Sequence, residues 1–261
     1  MKSTFLIIAT IIAVSGCAKS STGRNQITLF SDSELNKMGA TSFEELKEKE
    51  KISQDMATNN YVQCVAKAVT KNVSKQAHSG DWEVVVFDSD QVNAFALPGG
   101  KIGVYTGILK VAQGQDQLAA IIGHEIAHVT ERHSNERLSS NQLVQMGAAV
   151  GGAVLSQQQI ENKETWLMVG LGIAQYGVLM PYSRMHESEA DIVGQDLMAQ
   201  SGFEPSAAIS LWQNMAKQSK GAPPEFLSTH PSNQTRINDL TENLTKSKAI
   251  YQRSTVRPSC G

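Results

Sequence analysis

The sequence predicts an α+β chain that is mostly α, with one small sheet edge beside a central helix. Three observations predict it. Apolar residues recur at helical spacing over most of the chain. Strand-like runs rich in β-branched and aromatic residues are confined to 82–105. Residues 118–137 (LAAIIGHEIAHVTERHSNER), an apolar helical stretch, follow that region and carry two histidines four apart.

At 261 residues, with 41% hydrophobic content, the chain can bury a core as one large domain or two small ones. The formal charge of −2 and the lack of a basic block give no electrostatic case for nucleic acid. No internal repeat is visible, which excludes a solenoid extension.

The N-terminus reads as a targeting segment. Lys2 precedes a ten-residue apolar run, 5–14, too short to span a bilayer. Val14-Ser15-Gly16-Cys17 resembles a bacterial lipobox, in which Cys17 is acylated and becomes the new N-terminus. Ala18, where an aspartate would retain the protein at the inner membrane, implies by the same resemblance delivery to the outer membrane. The expected organisation is 1–16 signal peptide, 17–50 lipidated N-terminus and tether, and 51–261 catalytic domain. In an oxidising compartment the two remaining cysteines, Cys64 and Cys260, are candidates for a disulfide.

Taken in order, 18–33 are small and polar and suit a tether. Residues 34–57 combine a weak stripe (Leu35, Met38, Phe43, Leu46) with a solvated charged face. Tyr61, Val62, Val65, Ala66, Val69 and Val73 predict an amphipathic helix over 60–77, ending at an exposed His78. A strand is expected at 82–87. A hairpin follows, turning at Pro98-Gly99-Gly100. Two roles are open to its first strand, with Asn93, Ala94, Phe95 and Ala96: a structural hairpin, or an edge that pairs with an extended substrate.

A short helix begins at 107–111, and Asp116 is the expected N-cap of the central helix. The Gly/Ala-rich runs 143–155 and 166–180 fall short of the ~20 residues a membrane span needs, and read as close-packed core helices. A helix ends at Gly202, another opens at Pro205 and runs to 216, 219–224 form a loop, and a last helix covers about 233–246.

Within the central stretch, His124-Glu125-Ile126-Ala127-His128 is an HExxH pattern. A helix turns every ~3.6 residues, so both imidazoles lie on one face and can reach one metal ion. Glu125 then sits beside the ion as a proton acceptor, the arrangement of a zinc peptidase. An extended HExxHxxGxxH motif fails, because Glu131 and Ser134 occupy its Gly and His positions, and His133 is read as an exposed helix residue. The third ligand is sought in 186–191. Glu187 and Asp191 lie four apart on one helix face, the first able to ligate and the second to orient a ligating histidine. His186 and Glu189 project elsewhere.

With Glu187-Ser188-Glu189-Ala190-Asp191 and Ser228-Thr229-His230-Pro231 added, the chain resembles the HtpX/CAAX-prenyl-protease type of zinc metallopeptidase. Residues 93–100 are similar to its soluble periplasmic lipoprotein branch (BepA-like, LoiP-like). The resemblance covers roughly 60–245. It implies a zincin-type (gluzincin) domain, one Zn(2+) held by His124, His128 and Glu187, and Asp191 supporting a ligand. It also implies endopeptidase action on misfolded or unassembled envelope proteins, with outer-membrane assembly machinery as a further partner. His230 or Arg236 would add a donor for the oxyanion, or His230 would close the open zinc position and hold the enzyme latent. The rival readings are a zinc-bound chaperone-like lipoprotein and a membrane-embedded enzyme using 143–180.

Overall fold

A computed structural model of the chain describes residues 17–157, 162–174, 180–218, 225–230 and 234–261. The expected signal peptide (1–16), the expected loop (219–224) and Pro231 lie outside the described residues. The expected metal-peptidase architecture, mostly helical with small sheets, is the one found. The chain divides into two compact units, one of 32–131 with 187–261, the other of 132–186 with the N-terminal residues through 31.

The larger unit opens with α1 (Asp32–Lys49), anchored by buried Leu35 and Phe43, with its charges in solvent. The side chain of Asp55 accepts hydrogen bonds from the Ala57 and Thr58 amides and so caps α2 (Met56–Thr70). This helix stops several residues before the expected end, and its Val62, Val65, Ala66 and Val69 stripe is fully buried. Three strands follow: β3 (Glu83–Phe87), β4 (Ala94–Leu97) and β5 (Lys101–Tyr105). Their order is β3-β5-β4, with β5 parallel to β3 and antiparallel to β4. The turn from β4 to β5 falls at Pro98-Gly99-Gly100, leaving β4 as an edge strand.

A 3-10 turn (Thr106–Lys110) leads to the central helix α3 (Gln115–Thr130). Its N-cap is Gly114, not Asp116. The Asp116 carboxylate accepts instead from the Glu204 amide at 3.0 Å, so it serves a neighbouring turn. Residues 117–128 of α3 are all buried. The helix is wrapped by α2, the sheet and three later helices: the second half of α6 (Met180–Gln200), α7 (Ser206–Gln218) and α9 (Gln234–Arg253). Gly202, at φ +88°, ends α6 in the left-handed region, as expected. A five-residue helix, α8 (Glu225–Thr229), precedes His230. The tail is covalently tied down: Cys64 on α2 and Cys260 form a disulfide.

The smaller unit departs further from expectation. The stretch read as a tether carries a hairpin of β1 (Cys17–Lys19) and β2 (Asn25–Ile27). Arg24 grips Glu136 of α4 (His133–Gln157) through two nitrogens, at 2.6 and 2.7 Å. The Leu29 amide donates to Ser139 at 2.8 Å. His133, expected to be exposed, is buried and stacked on His186, which itself contacts Glu136 at 2.9 Å. The helices expected at 143–155 and 166–180 form within α4 and α5 (Lys163–Ala174), with 175–179 outside the described residues. They are not core helices, because Met146, Val150, Val154, Met168 and Val169 are exposed. Helical periodicity reports a helix, and only burial reports what it packs against.

Candidate metal centre

The site is assembled where two helices cross at glycines. A Cβ at Gly194 of α6 would lie 2.7 Å from the His124 amide nitrogen, and one at Gly123 would lie 2.8 Å from the Gly194 carbonyl oxygen. Only a pair of hydrogens lets the backbones approach this closely. The crossing carries Glu187 and Asp191 of α6 to His124 and His128 of α3. Phe226 of α8, whose amide donates to the Val92 carbonyl at 2.9 Å, brings His230 to the same point.

Four groups converge. His124 Nε2 lies 3.1 Å from His128 Nε2 and 3.2 Å from His230 Nδ1. Glu187 Oε2 lies 2.9 Å from His230 Nδ1 and 3.4 Å from His124 Nε2, and its Oε1 lies 3.5 Å from His128 Nε2. All four ligand atoms fall within 4.8 Å of one another. On the far side of His124, Nδ1 contacts Asp191 Oδ1 at 3.0 Å. An ionised carboxylate only accepts, so Nδ1 carries a hydrogen, and Nε2 is the nitrogen left to offer a lone pair to a metal once its own proton is displaced.

Arg236 of α9, 1% exposed, locks this face. Its Nε and NH2 donate to the two Asp191 oxygens at 2.6 and 2.7 Å, and its NH1 lies 3.1 Å from Glu187 Oε2. Its guanidinium carbon lies 3.7 Å from the centre of the Trp212 ring. Trp212 in turn stacks on Phe226.

Burial opposes ionisation of Glu187, but hydrogen bonds from His124 and His230 outweigh it and hold the carboxyl well below its usual range. For Asp191, burial is likewise outweighed, chiefly by Arg236, and its pKa is lowered. Burial also opposes charge on His124, and the contacts with Asp191 and Glu187 overcome it, raising the group to about 9. Glu125 goes the other way: burial pushes its pKa up, and the charges of His230 and His124, with a smaller backbone hydrogen bond at Ala96, offset part of that. Its Oε1 is buried without a hydrogen-bond partner among the described residues, 3.4 Å from His230 Nε2.

The donor set fits a dication. Ligand atoms about 2.0–2.1 Å from a tetrahedral zinc lie about 3.3–3.4 Å from one another. The contacts around His124 Nε2 and Glu187 match these edges. Protons on the imidazoles hold these contacts together without a cation, as the raised His124 shows, and a dication would replace those protons and take the lone pairs of the imidazoles and the carboxylate.

Of the residues the sequence singles out, His124, Glu125, His128, Glu187, Asp191, His230 and Arg236 are brought together. Ala94, Phe95 and Ala96 lie on edge strand β4, with Asn93 just before it. His78, expected exposed, is half-buried against Trp82. Gly123, Gly194, Trp212 and Phe226 carry no ionisable or metal-ligating group and escape a search for chemistry. A glycine within each of the two helices that carry the candidate ligands is the signal that points to the crossing.

Comparisons with known proteins fit this geometry. The profile of peptidase family M48 matches residues 56–244. The chain is 37% identical over 175 residues to mitochondrial metalloendopeptidase OMA1 of Schizosaccharomyces pombe, covering 66% of this chain and 50% of that protein. It is 30% identical over 255 residues to the Bos taurus mitochondrial metalloendopeptidase OMA1, covering 92% and 48%. It is 31% identical over 167 residues to the beta-barrel assembly-enhancing protease of Yersinia pestis, covering 62% and 34%. The chain spans half or less of the length of these relatives.

Proposed function

Because the chain belongs to peptidase family M48, we propose that it is a zinc-dependent endopeptidase in which His124, His128 and Glu187 hold the metal. The convergence of those three groups beside the buried Glu125 carboxylate carries this reading. Zinc, when bound, supplies a Lewis acid that polarises a peptide carbonyl and acidifies water. Asp191 keeps His124 in the tautomer that offers Nε2, and Arg236 keeps Asp191 and Glu187 ionised and in place. Glu125, raised by burial, is suited to take a proton from the attacking water on Oε1 and return it to the leaving amine. Edge strand β4 pairs with an extended substrate through its main chain, with few demands on substrate sequence. His230 stands at the fourth corner of the donor set, which favours the latent role over that of an oxyanion donor. Arg236, saturated by Asp191 and Glu187, acts as a positioning group.

The lipobox-like Val14-Ser15-Gly16-Cys17 supports a lipoprotein on the periplasmic face of a bacterial outer membrane. The beta-barrel assembly-enhancing protease supports the same setting, and with it unassembled envelope proteins as substrates. The larger identities to mitochondrial enzymes are compatible with a shared peptidase domain serving two compartments. The test is metal content together with digestion of a disordered protein such as casein. Stoichiometric zinc, cleavage stopped by a chelator, and zinc retained but cleavage lost in Glu125→Gln are expected. Full cleavage by Glu125→Gln removes Glu125 from the mechanism, and zinc binding without cleavage favours the chaperone-like alternative.

A further inference from the structure

The hairpin of α4 and α5 is built for lipid. From Leu138 to the end of α4 at Gln157 no residue is charged, and α5 carries no charge after Glu164. Val150 is 66% and Met168 67% exposed, and Met146, Val154 and Val169 are each nearly half exposed. Single exposed apolar residues are ordinary, whereas five large ones on the uncharged stretches of two paired helices form a patch. Between the helices runs a cleft of about 350 Å³, lined by Val144, Leu155, Leu167 and Leu171 among others, with no polar side chain among the described residues of its wall. Neither helix is long and apolar enough to cross a bilayer.

The hairpin's base is tied to the segment that leads to the membrane. Sixteen residues, including the apolar run 5–14, precede β1, and β1 begins at Cys17. Cys17 pairs in register with Ile27 of β2. Two residues beyond, the Leu29 amide bonds Ser139, and Arg24 is fastened to Glu136. Ser139 is where the uncharged part of α4 begins. Any anchor attached at Cys17 therefore holds the uncharged hairpin at the same bilayer.

We propose that the α4–α5 hairpin lies in the bilayer interface as a second, non-covalent membrane contact, with acyl chains covering Val150, Met168 and the apolar cleft. It does not span; Glu164, near the start of α5, stays at headgroup level. The proposal rests on the reading that the N-terminal segment delivers the chain to a membrane.

The test uses the full chain in phosphatidylethanolamine/phosphatidylglycerol vesicles, with an environment-sensitive fluorophore on Val150→Cys, Met168→Cys or, as control, Lys75→Cys. The expected result is a blue shift at 150 and 168, loss of most of that fluorescence with spin-labelled acyl chains, and neither effect at 75. Fluorophores that stay water-exposed on vesicle-bound protein overturn the proposal while leaving the N-terminal anchor standing. A shift without lipid that grows with protein concentration identifies a second copy as occupant, and one that needs only added casein identifies substrate; either overturns it. In a Cys17→Ser background, Val150→Glu with Met168→Glu should weaken vesicle binding about tenfold. Unchanged partitioning of Cys17→Ser alone would count against the acyl anchor, and the fluorophores would still decide the hairpin.

Discussion

Gly194 of α6 lies against the backbone of Gly123 and His124 of α3, so closely that a methyl group has no room. The contact is backbone on backbone, and no side-chain rotation can relieve it. It sets the distance between the helix that carries both histidines and the helix that carries Glu187.

Gly194→Ala should therefore push the helices apart. A misplacement of about 1 Å is worth roughly 100-fold in a positioned site. The chain should fold, losing about 1–3 kcal/mol to overpacking. Metal affinity and casein cleavage should both fall by about that 100-fold. Isothermal titration with zinc checks it, and wild-type affinity in the variant would show that the crossing gives way elsewhere.

Asp191→Asn removes the charge and one of the two acceptor oxygens that His124 Nδ1–H and Arg236 share, and leaves Arg236 with one carboxylate partner. Metal affinity should fall about 10- to 100-fold, the usual cost of losing a group that orients a ligand. Arg236→Lys should give a similar loss despite keeping the charge, because a lysine cannot bridge both Asp191 oxygens and lie flat on Trp212. Competition against a chromogenic chelator reads both.

Glu136 ties acid stability to the smaller unit. Burial opposes its charge, yet hydrogen bonds from His186 and Arg24 lower its pKa from 4.5 to about 2. Between those values the unfolded chain binds more protons than the folded one. The stabilisation from this group is thus complete above about pH 4.5 and lost as pH falls to about 2. Glu136→Gln should flatten acid unfolding in that window while lowering stability at pH 7. Urea titrations across pH measure both.

The Cys64–Cys260 disulfide closes a sequence separation of 196 residues. Its loss should cost about 5 kcal/mol by restoring freedom to the unfolded chain. Cys64→Ala with Cys260→Ala should melt well below the wild type while keeping zinc affinity, since neither cysteine touches the metal centre. Calorimetry and zinc titration on the same sample separate the two effects.

Much of the metal centre was legible in one dimension. Spacing alone puts His124 and His128 on one face of a helix, and Glu187 and Asp191 on one face of another. Core burial for 143–155 and exposure for His133 failed because they concern what an element packs against, whereas the N-cap role for Asp116 and the end of the 60–77 helix were errors of boundary. Periodicity reports which residues share a face and is silent about the neighbour across it.

By itself, then, the amino-acid order determined the elements and the local geometry of each donor pair, because helical pitch is a property of the backbone. Only the tertiary structure decided that two glycines bring the pairs together, that Arg236 holds Asp191 and Glu187 rather than standing free, and that His230 joins the donors. Those outcomes depend on contacts between residues tens of positions apart, where close packing and buried charge select one arrangement among many that local preferences allow.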